Sequence, residues 1–258
     1  MEWYAYPLLV LAGIAAGFVN MLEGNGSLIT LPALIFIGLP ANVANATNRV
    51  GVTLQNVVGT REFHRRGKLD TRGALLFAIP TTVGSVLGAQ IAVDINEELF
   101  RRVLAVIMVV MLILMLVKPE RWLIERVQPG TRRLSVLQVL SFFAIGIYGG
   151  FLQAGVGIFL LVALVLGAGY DVVRANAVKV LIVLVLTLAA LAVFWTNAKI
   201  EWLPGLVCGV GNMIGAWLGT RFAVRKGAVW VRWFVVVVVL ASAAELLGVF
   251  DWIGRLIG

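Results

Sequence analysis

The sequence predicts an all-α protein that crosses a membrane several times. Of the 258 residues, 61% are hydrophobic and 13% are charged, whereas soluble domains carry about 25% charged and about 45–50% apolar residues. The apolar residues form runs long enough to cross a bilayer, and lysine and arginine gather in short segments between the runs. This distribution explains the net charge of +8 without nucleic acid as a partner.

The first half contains five predicted helical elements. The run at residues 3–22 is long enough to span, because about 20 apolar residues cover the hydrocarbon core. No basic segment precedes it, so we predict a retained span and not a cleaved signal peptide. The next piece, residues 28–39, is only about 18 Å long as a helix, which predicts a short span or the returning arm of a re-entrant hairpin. The remaining helices are predicted at residues 43–60, 73–93 and 99–117.

The second half repeats this plan after a basic connector. The connector, residues 118–133, contains Pro119, Pro129 and Gly130, which predict a cytoplasmic linker and not a span. We therefore predict two transmembrane repeats, residues 1–117 and 134–258. The elements of the second repeat are predicted at residues 134–152, 158–166, 172–196, 202–223 and 230–250.

Each repeat carries a polar, glycine-containing break after its first helix. The first break comprises residues 23–27 and the second break residues 153–157. Irregular backbone at membrane depth is tolerated only where it is buried in protein or lines a cavity. We therefore predict short broken or re-entrant segments near residues 23–39 and 153–167, with a substrate cavity between them. The break residues assigned to this site are Glu23, Gly24, Asn25, Gly26, Ser27, Gln153, Gly155 and Gly157.

The basic loops predict that the two repeats are inverted relative to each other. If each short piece turns the chain back, the basic segments 61–72, 118–133 and 221–232 lie on one side, and the acidic turn 94–98 lies on the other. If residues 3–39 formed one broken crossing, the basic residues of 221–232 would face outside, against the positive-inside rule. The prediction is a multi-pass protein of the cell (inner) membrane with both termini external.

Two cations occupy matching positions inside apolar helices. One constant shift between the repeats aligns Glu23 with Gln153 and Arg49 with Lys179. A cation at membrane depth costs about 2.5–3.5 kcal/mol on insertion scales, so it usually has a partner or a ligand there. Inverted repeats bring such positions toward the midplane, which predicts an anion site. The alternative is that both side chains snorkel to the interfaces. The neutral donors assigned beside them are Asn20 and Asn48.

Glu23 is the candidate for ion coupling. As an acid inside a break, it could carry a proton, bind sodium, or pair with Arg49 as a gate. The alternative is a structural ion pair or helix cap, because its counterpart Gln153 cannot titrate. We expect no cofactor and no metal site, since one cysteine and one histidine supply neither a disulfide framework nor a cysteine-based site.

At these residues the sequence resembles the TauE/SafE family of sulfite and organosulfonate exporters. The hallmark is a glycine-rich break followed five residues later by proline, once per repeat; here Pro32 follows the first break, but Val162 follows the second. The resemblance covers nearly the whole chain. It departs where Glu23, Asn25 and Ser27 replace glycines. It implies export of small sulfur-containing anions, coupled to an ion gradient.

The residues leave three functions open. The leading hypothesis is a secondary transporter of small anions that works by alternating access. A passive anion channel could use the same cations. An intramembrane lipid-phosphate enzyme is the third alternative, but we expect no enzyme, because one histidine and one cysteine offer no convincing nucleophile and base. The expected partners are a small anion, a proton or sodium ion and the lipid bilayer, and a homo-oligomer stays open.

Overall fold

The computed structural model describes residues 5–22, 24–117 and 134–223. Glu23, the predicted linker 118–133 and the predicted helix 230–250 lie outside these described residues. Within the described ranges the chain forms nine α-helices, and a π-helical turn, Ala163–Gly167, continues α7. Their bounds are α1 Ala5–Leu22, α2 Ser27–Phe36, α3 Ala41–Arg65, α4 Thr71–Asp94, α5 Glu97–Val117, α6 Val136–Phe151, α7 Val156–Val162, α8 Val172–Thr196 and α9 Trp202–Ala223.

The helices confirm the predicted fold class. Four of them, α1, α4, α8 and α9, are long and apolar enough to cross a membrane. The two short pieces, α2 and α7, follow the two breaks as expected. The protein is therefore a polytopic helical membrane protein.

One predicted boundary is wrong, because α3 continues past residue 60 to Arg65. Arginine and glutamate are good helix formers, and Glu62 pairs with Arg65 at 3.6 Å and with Arg66 at 3.8 Å along the last turns. The helix ends where Gly67 takes the left-handed conformation, with φ at +63°, a conformation that glycine adopts without strain. The first residues of the predicted basic loop are therefore helical.

Close glycine contacts fix the directions of the outer helices. A Cβ atom on Gly13 of α1 would overlap the carbonyl oxygen of Cys208 in α9, and further along a Cβ on Gly215 would overlap that of Ile14. The helices α4 and α6 meet in the same way through Gly84 and Gly88. Residue numbers rise together in each pair, so α1 runs parallel to α9, and α4 runs parallel to α6. The first helix of each predicted repeat thus packs against the fourth helix of the other.

Contacts between turns define two ends of the molecule. At the acidic end, which carries Asp94, Glu97, Glu98 and Glu201, the Glu97 carboxylate accepts from the backbone N–H of Ala41 at 2.6 Å, and the N–H of Glu201 donates to the Thr47 hydroxyl at 3.0 Å. At the basic end, which carries Arg61, Arg65, Arg66, Lys68 and Arg72, the Tyr170 hydroxyl donates to Asp70 at 2.7 Å. The acidic turn 94–98 and the basic segment 61–72 therefore lie at opposite ends, while Lys199 balances Glu201 before α9 and Arg174 balances Asp171 at the start of α8.

The Asp70 contact ties two turns together at the basic end. Asp70 also caps α4 by accepting from the N–H of Gly73 at 3.0 Å. Partial burial alone would raise the pKa of this carboxyl, but the bonds from Gly73 and Tyr170 and the nearby Arg174 charge bring its pKa below the usual value. The pKa of Tyr170 is raised, first by burial and then by its bond to Asp70. The carboxylate is thus charged at neutral pH and holds the turn before α8 against the start of α4.

Candidate functional site

The two breaks cross at a contact between two glycines. A Cβ atom on Gly24 would lie 2.7 Å from the Cα atom of Gly157, and a Cβ on Gly157 would lie 2.6 Å from the Cα of Gly24. Gly24 also has φ at +81°, a conformation that side chains disfavour. Both positions therefore require glycine. The contact places the starts of the short helices α2 and α7 next to each other.

A small cavity lies at this crossing. About 20 Å³ of it is open to the centre of a water-sized sphere, whereas one water needs roughly 10–15 Å³ by that measure. The cavity in this conformation is therefore smaller than a sulfur oxyanion. It is lined by residues of both breaks and of α1, α3, α7 and α8: Asn20, Gly24, Ser27, Val52, Gln55, Asn56, Gln153, Val156, Gly157, Lys179 and Val183.

The predicted site residues divide into three groups. Those that line the cavity are Asn20, Gly24, Ser27, Gln153, Gly157 and Lys179. Those that lie in or beside the breaks without lining it are Asn25, Gly26, Asn48, Arg49 and Gly155. Glu23 lies outside the described residues. Their assignment to substrate binding stays a prediction.

Asn20 and Asn48 hold the first break in place. The Asn20 side chain accepts from the backbone N–H of Gly26 at 2.9 Å. The Asn48 amide donates to the Ser27 hydroxyl at 3.1 Å and accepts from the Thr30 hydroxyl. The start of α2 is thus tied to α1 on one side and to α3 on the other, which fixes the cavity wall.

Arg49 is fully buried and binds the end of α6. Its guanidinium donates to the carbonyl oxygens of Gly149 at 3.1 Å and Gly150 at 2.6 Å, and it lies 4.8 Å from the centre of the Phe194 ring. The last carbonyls of a helix lack partners within the helix and carry its negative dipole end. Arg49 therefore stabilises the point where α6 stops and the second break begins.

Lys179 makes the matching contact on the other repeat. Its ammonium group donates to the carbonyl oxygen of Asn20, in the last turn of α1, at 3.2 Å. The shift that aligns Arg49 with Lys179 also aligns Gly150 with Asn20. With 2% of its surface exposed for Lys179 and 0% for Arg49, neither side chain snorkels to an interface. Lys179 differs from Arg49 in lining the cavity.

Two asparagines add a second contact at each of these helix ends. Each binds the backbone carbonyl one residue after the last carbonyl that the cation binds. The Asn45 amide of α3 donates to the carbonyl oxygen of Phe151 at 2.9 Å, and the Asn176 amide of α8 donates to that of Met21 at 2.5 Å. Each repeat's third helix thus binds the end of the other repeat's first helix through one cation and one amide. We call these the crossed contacts. One lies on the acidic-end side of the break crossing and the other on the basic-end side.

The sequence interpretation missed Gln55 and Asn56, which line the cavity from α3. Both are buried. The Asn56 amide donates to the carbonyl oxygen of Val52 at 2.7 Å. The available signal was a pair of amides in the stretch 50–59, whose other residues are apolar except Thr53, since polar groups at membrane depth face the protein interior or a cavity.

Comparison with known proteins gives matches over nearly the whole chain, to membrane transporters. The family profile described as "Sulfite exporter TauE/SafE" matches residues 9–246. The chain is 28% identical over 250 residues to "Probable membrane transporter protein ORF9" of Sinorhizobium sp, covering 96% of this chain and 94% of that protein. It is 28% identical over 256 residues to "Probable membrane transporter protein YfcA" of Escherichia coli K12, covering 96% and 93%. A "Probable membrane transporter protein" of Haemophilus influenzae is 27% identical over 245 residues, covering 95% of each chain.

Proposed function

The chain belongs to the sulfite exporter TauE/SafE family and is a membrane transporter, and from this premise we propose that it exports small sulfur-containing oxyanions or organosulfonates through the cavity at the break crossing. The observation that carries the proposal is Lys179, a buried cation that lines this cavity. A cation at membrane depth marks a substrate or ion pathway. The start of α2 adds the positive end of its helix dipole beside the same cavity.

Transport by alternating access is the proposed mechanism. The helices α1, α3 and α9 pack into one bundle, and α4, α6 and α8 pack into another. The cavity and both crossed contacts lie between these bundles. Movement of one bundle against the other would open one crossed contact at a time and expose the cavity to one side. The helix α9 starts at the acidic end, and α4 starts at the basic end. Since α1 is parallel to α9 and α6 is parallel to α4, α1 starts at the acidic end and α6 at the basic end, which supports inverted repeats.

We place the basic end in the cytoplasm of the cell (inner) membrane and the acidic end outside, in keeping with the positive-inside rule. The N-terminus is then external, and the C-terminus is external as well if the predicted helix 230–250 crosses the membrane. Glu23 stays the candidate for coupling export to a proton or sodium gradient, as an acid within the first break.

Cysteine labelling tests this orientation. Cys208 is the only cysteine of the chain and is buried, so Cys208→Ala gives an unlabelled background. In that background, Glu98→Cys at the acidic end should react with a membrane-impermeant maleimide on intact cells. Lys68→Cys at the basic end should react only after the cells are permeabilised. The reverse pattern would place the basic end outside.

Thermal-shift and flux measurements test the substrate class. We expect the purified protein to be stabilised by sulfite, thiosulfate or a sulfonate, since a ligand at 100 times its Kd adds about 2.7 kcal/mol. Lys179→Gln should lose this stabilisation, because the cavity then lacks its cation. The control is Lys68→Gln, which removes an exposed lysine at the basic end and should keep the stabilisation by the ligand. No stabilisation by any sulfur anion would contradict the proposal.

Flux measurements in proteoliposomes separate a transporter from a channel. Flux against a concentration gradient that collapses with the ion gradient would identify a transporter.

A further inference from the structure

Two glutamines at the cavity have polar atoms that no other described group satisfies. Gln55 and Gln153 are 1% and 2% exposed, and both line the cavity. The Oε1 atom of each is buried without a hydrogen-bond partner in the described ranges. Most buried side-chain polar atoms are hydrogen-bonded. Two such exceptions belong to residues that line one cavity beside Lys179, which makes these two amides candidates for contact with the transported molecule.

The backbone at Gln153 is a second, independent observation. Its φ is +64°, in the left-handed region that residues with a Cβ atom seldom adopt. A glycine would take this conformation without strain. Strained backbone of this kind clusters at functional sites, where the surrounding structure holds it in place. Here the strain places a glutamine side chain at the cavity.

Both amides can present N–H groups to an anion. A primary amide has two N–H donors and one acceptor oxygen, and a hydroxyl can donate or accept. The Gln153 amide donates to the Thr187 hydroxyl at 2.7 Å. If this amide turns over, Thr187 donates to its oxygen, and the N–H groups take the place of the unpartnered oxygen on a residue that lines the cavity. The Oε1 atom of Gln55 has no hydrogen-bond partner in the described part of the chain, so the same turn of its amide would break no bond to that atom.

We infer that Gln55 and Gln153 hydrogen-bond the oxygen atoms of the transported anion and determine which anion is carried. This rests on the proposed function, because it takes the cavity to be the transport site. Together with the Lys179 ammonium, the two amides offer three separate donor groups. Three donors match the three oxygens of an SO₃ group, whether in sulfite or in a sulfonate. A carboxylate offers two oxygens and a halide offers none.

Affinity measurements on the full-length protein in detergent test this inference. We expect the wild type to bind sulfite and methanesulfonate more tightly than acetate or chloride. Gln55→Met and Gln153→Met should each weaken sulfite and methanesulfonate binding by roughly tenfold or more, as for loss of a hydrogen bond to a charged group. Acetate binding should fall less, so the preference for the SO₃ group shrinks. Gln90→Met is the matched control, because Gln90 is exposed on α4, away from the cavity, and its amide donates to Asp94.

A glutamate in place of Gln55 has the same shape as the glutamine but can carry a charge. It therefore gives a pH-dependent result that a purely structural role of Gln55 would not produce. Gln55→Glu should lose anion binding at pH 8, where its carboxylate repels the ligand, and regain it as the pH falls and the carboxyl is protonated. If a methionine variant does not fold, Gln55→Asn and Gln153→Asn shorten the amide and give the same comparison. If the variants of Gln55 and Gln153 keep the wild-type affinities and the wild-type order of preference among the anions, the inference is wrong and the proposed function still stands. Absence of anion binding by the wild type would overturn both.

Discussion

A single methyl group at the break crossing, in Gly157→Ala, is expected to abolish transport. The added Cβ would lie 2.6 Å from the Cα of Gly24, a distance at which one of the two backbones must move. Gly26 is tied to Asn20 and Ser27 to Asn48, which restrains the first break. The second break is restrained by the Tyr148 hydroxyl, which donates to the carbonyl oxygen of Ala154. Overpacking of this kind costs about 1–3 kcal/mol, and separating the breaks would displace the groups that line the cavity. Sulfite flux into proteoliposomes, with the melting temperature alongside, measures the effect.

A glycine with open surroundings provides the control. Nothing lies within 4 Å of a Cβ atom built on Gly167, in the π-helical turn after α7, so Gly167→Ala should transport like the wild type. Gly24→Ala should lower the melting temperature more than Gly157→Ala does, because it adds the strain of a side chain at a φ of +81°. Normal flux in Gly157→Ala would mean that the breaks do not need their close contact.

Replacement of Arg49 by methionine is expected to cost more stability than removal of an exposed charge. The change leaves the carbonyls of Gly149 and Gly150 without the guanidinium donor, and hydrogen bonds to charged groups contribute about 1.5–3 kcal/mol each. We therefore expect a loss of about 3 kcal/mol and a lower melting temperature. Arg49→Lys should be intermediate, because an ammonium group keeps the charge but lacks the planar fork that reaches two carbonyls.

The control for Arg49 is Arg101→Met, which removes an exposed arginine from α5 and should leave the melting temperature nearly unchanged. Equal stability of Arg49→Met and the wild type would show that the contact with the end of α6 contributes nothing. Arg49→Met that melts normally but no longer binds sulfite would instead favour a direct role of Arg49 in the anion site.

The helices were predictable because the bilayer imposes long apolar runs with few charges. The positions of the breaks were predictable for a related reason, since glycine and polar residues stand out inside such runs. The end of α3 was not, because charged residues that favour a helix also favour a loop in a positive-inside pattern. Here the ion pairs of Glu62 with Arg65 and Arg66 favour the helix.

The environment of the two cations was only partly predictable. Their matched positions in the repeats indicated that Arg49 and Lys179 lie inside the protein, and both are buried. The contacts with Gly150 and Asn20, however, use backbone carbonyls, which every residue possesses and no sequence pattern distinguishes. Gln55 was missed for a similar reason. Its place on the cavity depends on the rotation of α3 about its axis, which the sequence of a mostly buried helix leaves undetermined.

If the crossed contacts act as the two gates of the proposed transport cycle, they also bear on which side of the membrane the cavity faces at rest. Two identical gates would make the inward-facing and outward-facing states equal in energy, and each would be half populated. Here one gate is held by an arginine with a planar fork and the other by a lysine with a compact point charge. A difference of about 1.4 kcal/mol between the gates shifts the populations tenfold. The exchange of a single basic side chain would therefore shift the resting population toward one side of the membrane, whereas the gradients of the anion and the coupling ion set the direction of net transport.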